Sequence, residues 1–158
     1  MENGVITALL PCDFFYSTKQ HRRVNRNTWG EIVALVLVID DDPVLSELYN
    51  AYFSIEGLTD WHAHAETDLN AALAVIKSST PAIVFLDNKL PPFQDFREPL
   101  QKILASNYPG PVIVQSACLD NDVFAMAEKL GAKCVLEKWR VTSGRLAEIV
   151  KQYTFRQE

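Results

Sequence analysis

Three aspartates in a row, Asp40-Asp-Asp42, follow the apolar run Ala34-Leu-Val-Leu-Val-Ile39, and a fourth, Asp87, follows Ala82-Ile-Val-Phe-Leu86. Ser116 stands just past Val112-Ile-Val-Gln115, and Lys138 comes shortly after Cys134-Val-Leu136. If these runs are parallel strands, their carboxyl ends share one edge of the sheet, and Asp40, Asp41, Asp87, Ser116 and Lys138 open onto a common rim. Carboxylates gathered in that way repel one another and raise each other's pKa unless a cation holds them together. Mg²⁺ suits such a cluster: it takes oxygen ligands, often one or two carboxylates plus phosphate and water, and neither His nor Cys is needed. An aspartate carboxylate is also a nucleophile toward phosphorus. Lys138 would then be a point charge for phosphoryl oxygens and the Ser116 hydroxyl a donor to another.

The elements that must position these residues alternate apolar runs with helix-period segments from Glu31 onward, which predicts βα units around a parallel sheet. Residues 34–39 read as a central strand covered on both faces. Asp42-Pro43 predicts an N-cap with proline in the first helical position, and Leu45, Leu48, Tyr49 and Tyr52 fall on one apolar face of a helix that Gly57 ends. Residues 58–63 form a weaker strand candidate, and Thr67 can cap a helix with Leu69, Ala72, Leu73 and Ile76 facing inward. Residues 82–86 are the third strand, followed by a Pro-rich loop and a helix over residues 96–107 that Pro99 should interrupt. Residues 112–115 are the fourth strand, Asp120 or Asn121 begins a helix carrying Val123, Phe124, Ala127 and Leu130, and Gly131 stops it. Residues 134–136 are the fifth strand, and a helix over about 142–153 buries Leu146, Ile149 and Val150. The expected fold is α/β: a doubly wound, five-stranded parallel sheet of flavodoxin-like strand order 2-1-3-4-5, with helices on both faces.

With 48% hydrophobic and 22% charged residues, collagen-like, coiled-coil and globally disordered classes are excluded, and 158 residues make one domain. A net charge of -5 gives no overall pull toward nucleic acid. No stretch approaches the roughly 20 apolar residues of a membrane span, and no signal peptide precedes the body, so a cytoplasmic location is expected. Residues 1–33 read as an N-terminal extension, partly disordered or accessory. It holds an apolar stretch, Val5 to Tyr16, and an acid-free basic run, Lys19 to Arg26, which is either a tether for an acidic partner or nucleic acid or a solvated tail. Cys12, Cys118 and Cys134 are too scattered to suggest a zinc cage or a disulfide framework. Cys118 reads as a small buried hydrophobe, and His62 and His64 share a strand face without a third ligand. Taken singly, Asp40 to Asp42 could be helix-capping acids and Lys138 a surface lysine; their joint placement at one rim is what points to a site.

Val38-Ile-Asp-Asp-Asp-Pro43, Phe85-Leu-Asp-Asn-Lys-Leu-Pro91, Val112-Ile-Val-Gln-Ser-Ala117 and Gly131-Ala-Lys-Cys-Val-Leu-Glu-Lys138 resemble, in order and spacing, the four signatures of bacterial response-regulator receiver domains. The resemblance covers about residues 35–153, within a domain placed at 34–154 with a tail at 155–158. It implies that Asp87 is the phosphoacceptor and that Asp40 and Asp41 form the acidic pair, Asp41 being the direct Mg²⁺ ligand. The Lys89 carbonyl completes the metal shell, Ser116 is the hydroxyl switch, and Lys138 is the phosphate-binding lysine. It implies a stand-alone signalling phosphoacceptor rather than an enzyme acting on others. Its partners would be a sensor histidine kinase or histidine phosphotransfer protein and a downstream effector reached by protein contact, by homodimerisation or by onward transfer, since no DNA-binding or effector domain follows Tyr153. Trp139 stands where the family carries proline, and Val135 fills its aromatic switch position.

Two other readings use the same residues. Asp40-Asp-Asp-Pro-Val44 also satisfies the nucleophile motif of haloacid-dehalogenase-type phosphohydrolases, with Asp40 as nucleophile, but the acidic pair that such enzymes place after the lysine is missing. A receiver-like scaffold that binds partners without phosphorylation is the other.

Overall fold

The computed structural model describes residues 25–26, 32–118 and 121–154. Its strands are β1 (Asn25–Arg26), β2 (Ile32–Ile39), β3 (Trp61–Glu66), β4 (Ile83–Asp87), β5 (Val112–Ser116) and β6 (Cys134–Glu137). Its helices are α1 (Leu45–Ile55), α2 (Leu69–Ser79), α3 (Arg97–Ala105), α4 (Asn121–Lys129) and α5 (Ser143–Thr154), with a 3₁₀ turn at Lys138–Arg140. β3, β2, β4, β5 and β6 pair in parallel in that spatial order. Counting parallel strands alone, this is the expected order 2-1-3-4-5.

β2, and β4 as far as Leu86, are apolar because each carries a core on both faces. Val36, Val38, Ile83 and Phe85 meet α1 and α5 through Tyr49, Phe53, Leu146 and Ile149. Leu37, Ile39, Val84 and Leu86 meet α2, α3 and α4 through Ile76, Leu100, Ile103 and Ala127. The two-layer burial leaves the strand ends with little freedom to shift, since a slip of one residue would exchange the two faces.

Several boundaries differ from the sequence expectation. β3 starts at Trp61, three residues late, because Gly57 takes a left-handed turn (φ 67°) and Leu58 first folds back onto the Phe53 carbonyl. α1 begins at Leu45: the Asp42 carboxylate accepts from the Val44 N–H at 3.0 Å and holds Pro43-Val44 as a turn ahead of the helix. Leu48 is exposed, and Phe53, four residues after Tyr49, takes the core place expected for it. α2 is capped by Asp68, whose carboxylate accepts from Asn70 and Ala71, and not by Thr67. Pro99 does not interrupt α3, because it lies in the first turn, where an N–H has no intrahelical partner to lose. Within the basic run, Asn25–Arg26 pairs antiparallel with Ile32–Val33, an edge bridge its composition does not announce; the rest of that run, and Asp120, lie outside the described residues. Cys134, buried in β6, is disulfide-bonded, a link the scattered cysteines do not suggest.

β3 pairs with β2 alone, and α1 covers part of its backbone. The Asn50 amide donates to the Ala63 carbonyl (2.9 Å) while its own carbonyl accepts from the Ala63 N–H (2.8 Å). Replacing Asn50 by alanine leaves both backbone groups without that partner, and Asn50→Ala should destabilise the fold by about 1–3 kcal/mol. Urea denaturation followed by circular dichroism checks this, and a loss below a few tenths of that range would show that water replaces the amide at no cost.

Candidate functional site

The carboxyl ends of β2, β4, β5 and β6 meet at one rim. Asp40, fully buried, follows β2; Asp87, 6% exposed, is the last residue of β4; Ser116, 4% exposed, ends β5. Lys138 opens the 3₁₀ turn after β6. Its Nζ lies 2.6 Å from Asp40 Oδ2 and 3.0 Å from Asp87 Oδ1, which gathers residues almost a hundred positions apart around one ammonium. Asp41 is exposed beside them, and Asp40, Asp41 and Asp87 each offer a carboxylate oxygen within 4.8 Å of the others. Among the described residues the cis peptide is Pro91–Pro92, so Lys138 reaches both carboxylates with a trans bond to Trp139. Val135 is buried in β6.

Burial pushes the Asp40 carboxyl above the usual carboxylate range, although the Lys138 ammonium and the Asp42 N–H (3.1 Å) pull the other way. Burial also opposes the charge on Lys138, but its bonds to Asp40 and then Asp87 outweigh that and hold it above the ordinary lysine value. The lysine therefore stays charged, and one ammonium balances one of the two buried carboxylates. A donor set made only of oxygens, with one negative charge still uncompensated and Asp41 adding another at the surface, fits a hard divalent cation such as Mg²⁺.

The Ser116 hydroxyl does not point at the carboxylates. It donates to the Cys118 carbonyl at 2.6 Å and accepts from the buried Asn88 amide at 3.4 Å. Lys89 is exposed in the turn after β4, next to Asn88. Cys118 is free and exposed, contrary to the expectation of burial, because the chain after β5 turns out over the rim. His64 is engaged by Glu66 at 2.8 Å and His62 is exposed; they form no metal cluster with a third ligand among the described residues.

Sequence reasoning missed a polar pair just behind the pocket. Gln115, the β5 residue paired with Asp87, donates to the Tyr49 hydroxyl of α1, and both are buried. Burial pushes the Tyr49 hydroxyl far up, so it remains neutral. The available signal was a lone glutamine in an otherwise apolar strand; its partner, 66 residues earlier, could not be read from it.

The family model of the response regulator receiver domain matches residues 36–151. The chain belongs to the response regulator receiver domain family. This receiver is 33% identical over 82 residues to the "Probable transcriptional regulatory protein TcrX" of Mycobacterium tuberculosis, a match covering 52% of this chain and 33% of the relative. The chain thus spans about a third of the length of that curated relative. Among solved structures it is similar to a signal receiver domain from Vibrio parahaemolyticus, at 26% identity and TM-score 0.68 over 79% of this chain and 92% of the other. It is similar too to the beryllofluoride-activated NtrC4 receiver domain dimer, at 26% identity and TM-score 0.64 over 75% and 94%. The receiver is thus a module of two-component signalling with bacterial relatives, and among its described residues no helix is long and apolar enough to cross a membrane.

The raised pKa of Asp40 has a definite sign for stability. A carboxyl that binds its proton more tightly in the folded state than in the unfolded one loses stability as pH rises through its folded value. Asp40→Asn keeps the shape without the charge. In urea denaturation without divalent ions, the stability difference between variant and wild type should move in the variant's favour as pH rises above 3.8, the ordinary aspartate value, and then level off. A difference that moves the opposite way would mean that Lys138 outweighs burial at Asp40.

Proposed function

We propose that this receiver is a stand-alone phosphoacceptor, taking a phosphoryl group on Asp87 in a Mg²⁺-dependent reaction. The observation that carries the reading is the ion-paired rim: Asp87 at the end of β4 with the Lys138 ammonium at 3.0 Å, and the acidic pair Asp40–Asp41 beside it. A carboxylate oxygen of Asp87 attacks phosphorus of a phosphohistidine; the O–P bond forms as the N–P bond breaks, and the imidazole leaves with the electron pair. The donor is a sensor histidine kinase or a histidine phosphotransfer protein. Asp40, Asp41, Asp87 and the Lys89 carbonyl would hold Mg²⁺, which supplies neutralisation of the incoming charge. Lys138 orients and neutralises phosphoryl oxygens.

Ser116 is the switch. A phosphoryl oxygen on Asp87 competes with the Cys118 carbonyl for its hydroxyl, and turning that hydroxyl inward draws the loop after β5 with it. With Val135 in β6, this movement has no aromatic ring to carry it, so the output surface is set by the loop itself. The receiver, residues 34–154, would signal in the cytoplasm by contact with an effector protein, with residues 1–33 as an accessory arm. Homodimerisation is supported by the dimeric state of the similar NtrC4 receiver.

Incubation with Mg²⁺ and a small phosphodonor, followed by intact-mass measurement, tests the reading. The wild type should gain one phosphoryl group, about 80 Da, Asp87→Ala should gain none, and chelation of Mg²⁺ should abolish labelling. No adduct under conditions that label an ordinary receiver, together with no binding of beryllofluoride, would leave a scaffold. An adduct mapped to Asp40 would point to phosphohydrolase chemistry instead.

A further inference from the structure

Asn88 is a polar side chain where the core leaves little room for one. It is 9% exposed, directly follows Asp87, and its backbone N–H donates to the Gln115 carbonyl at 2.7 Å. That bond carries the β4–β5 ladder one step beyond the Asp87–Gln115 pair, so that Asn88 comes beside Ser116. The Asn88 amide nitrogen donates to Ser116 Oγ at 3.4 Å, while its carbonyl oxygen is buried without a hydrogen-bond partner among the described residues. A buried acceptor left unpaired costs stability, and an apolar residue of the same size would serve the core better. Packing does not explain this amide; its contact with Ser116 does.

We propose that Asn88 is a positioning residue for the Ser116 hydroxyl, tying its oxygen to the residue that follows Asp87; this rests on the phosphoacceptor reading of Asp87. Ser116 Oγ accepts from the Asn88 amide and from the Cys118 N–H, at 3.4 Å each, and gives its single proton to the Cys118 carbonyl at 2.6 Å. With donors on its lone pairs, the hydroxyl answers a phosphoryl oxygen on Asp87 in one way: its hydrogen bond passes from the Cys118 carbonyl to the new acceptor. The Asn88 amide keeps the oxygen on the β4 side during that exchange. A chain of donors then runs from amide to hydroxyl to phosphoryl oxygen, and each bond in such a chain strengthens the next. Val135, buried in β6, offers no ring to guide the hydroxyl. Asn88 guides it from β4, one residue from Asp87.

Two measurements on the full chain test this. Without divalent ions, hydrogen–deuterium exchange of the peptide spanning residues 112–118 should be at least about threefold faster in Asn88→Leu than in wild type, because the loop after β5 loses its tie to β4. At saturating Mg²⁺, Asn88→Leu should bind beryllofluoride, a phosphoryl mimic, about three- to tenfold more weakly, the effect of one hydrogen bond. Added to Ser116→Ala, the same substitution should change that affinity by less than about twofold, since its target is already gone. The urea midpoint of Asn88→Leu should not fall, because an unpaired buried carbonyl is removed; a fall would assign the amide to the core and overturn the proposal. Unchanged exchange, equal or tighter binding, or an equal loss with and without the Ser116 hydroxyl would overturn it as well. Wild type that does not bind beryllofluoride would overturn the phosphoacceptor reading itself, whereas wild type that binds beside a variant that binds equally would overturn the role of Asn88 alone.

Discussion

One ammonium between two buried carboxylates is the constraint on which the rest of this structure depends. Removing charges from water is costly, and a partner offsets that cost only when its position is held closely and its remaining bonds are satisfied. Here the position is held by four strands. β2, β4, β5 and β6 range from eight residues to four, yet Asp40, Asp87, Ser116 and Lys138 come to one rim because each strand is clamped between two apolar layers. The site's precision is therefore a property of the core beneath it.

The same dependence explains what could be read in advance. Continuous apolar runs mark strands buried on both faces, and a polar residue ending such a run must lie at a strand end, so the five strands and the rim residues were legible from residue order alone. Local chemistry was less so. Thr67 and Asp68 are both good caps, and only the backbone shows that Asp68 has the extended conformation from which its carboxylate reaches Asn70 and Ala71. Leu48 and Phe53 are both apolar positions of α1, and their assignment to solvent and core depends on the sheet that the helix faces.

Partnerships across long sequence separations were not legible. Gln115 with Tyr49 and Asn88 with Ser116 join elements that only the folded sheet brings together. The exposure of Cys118 follows from the path of a loop. In each case the residue type allowed several environments, and the tertiary structure selected one.

Trp139 follows the lysine that binds the carboxylates. Its indole is 67% exposed and stacked under the Arg140 guanidinium, whereas Trp61 is buried against Phe53. The two described tryptophans thus differ sharply in how water and collisional quenchers reach them. Lys138, which holds the carboxylates, and this surface fluorophore are adjacent in the chain. Of these two indoles, the exposed one, a single residue from Lys138, is the one placed to register a change at the carboxylates.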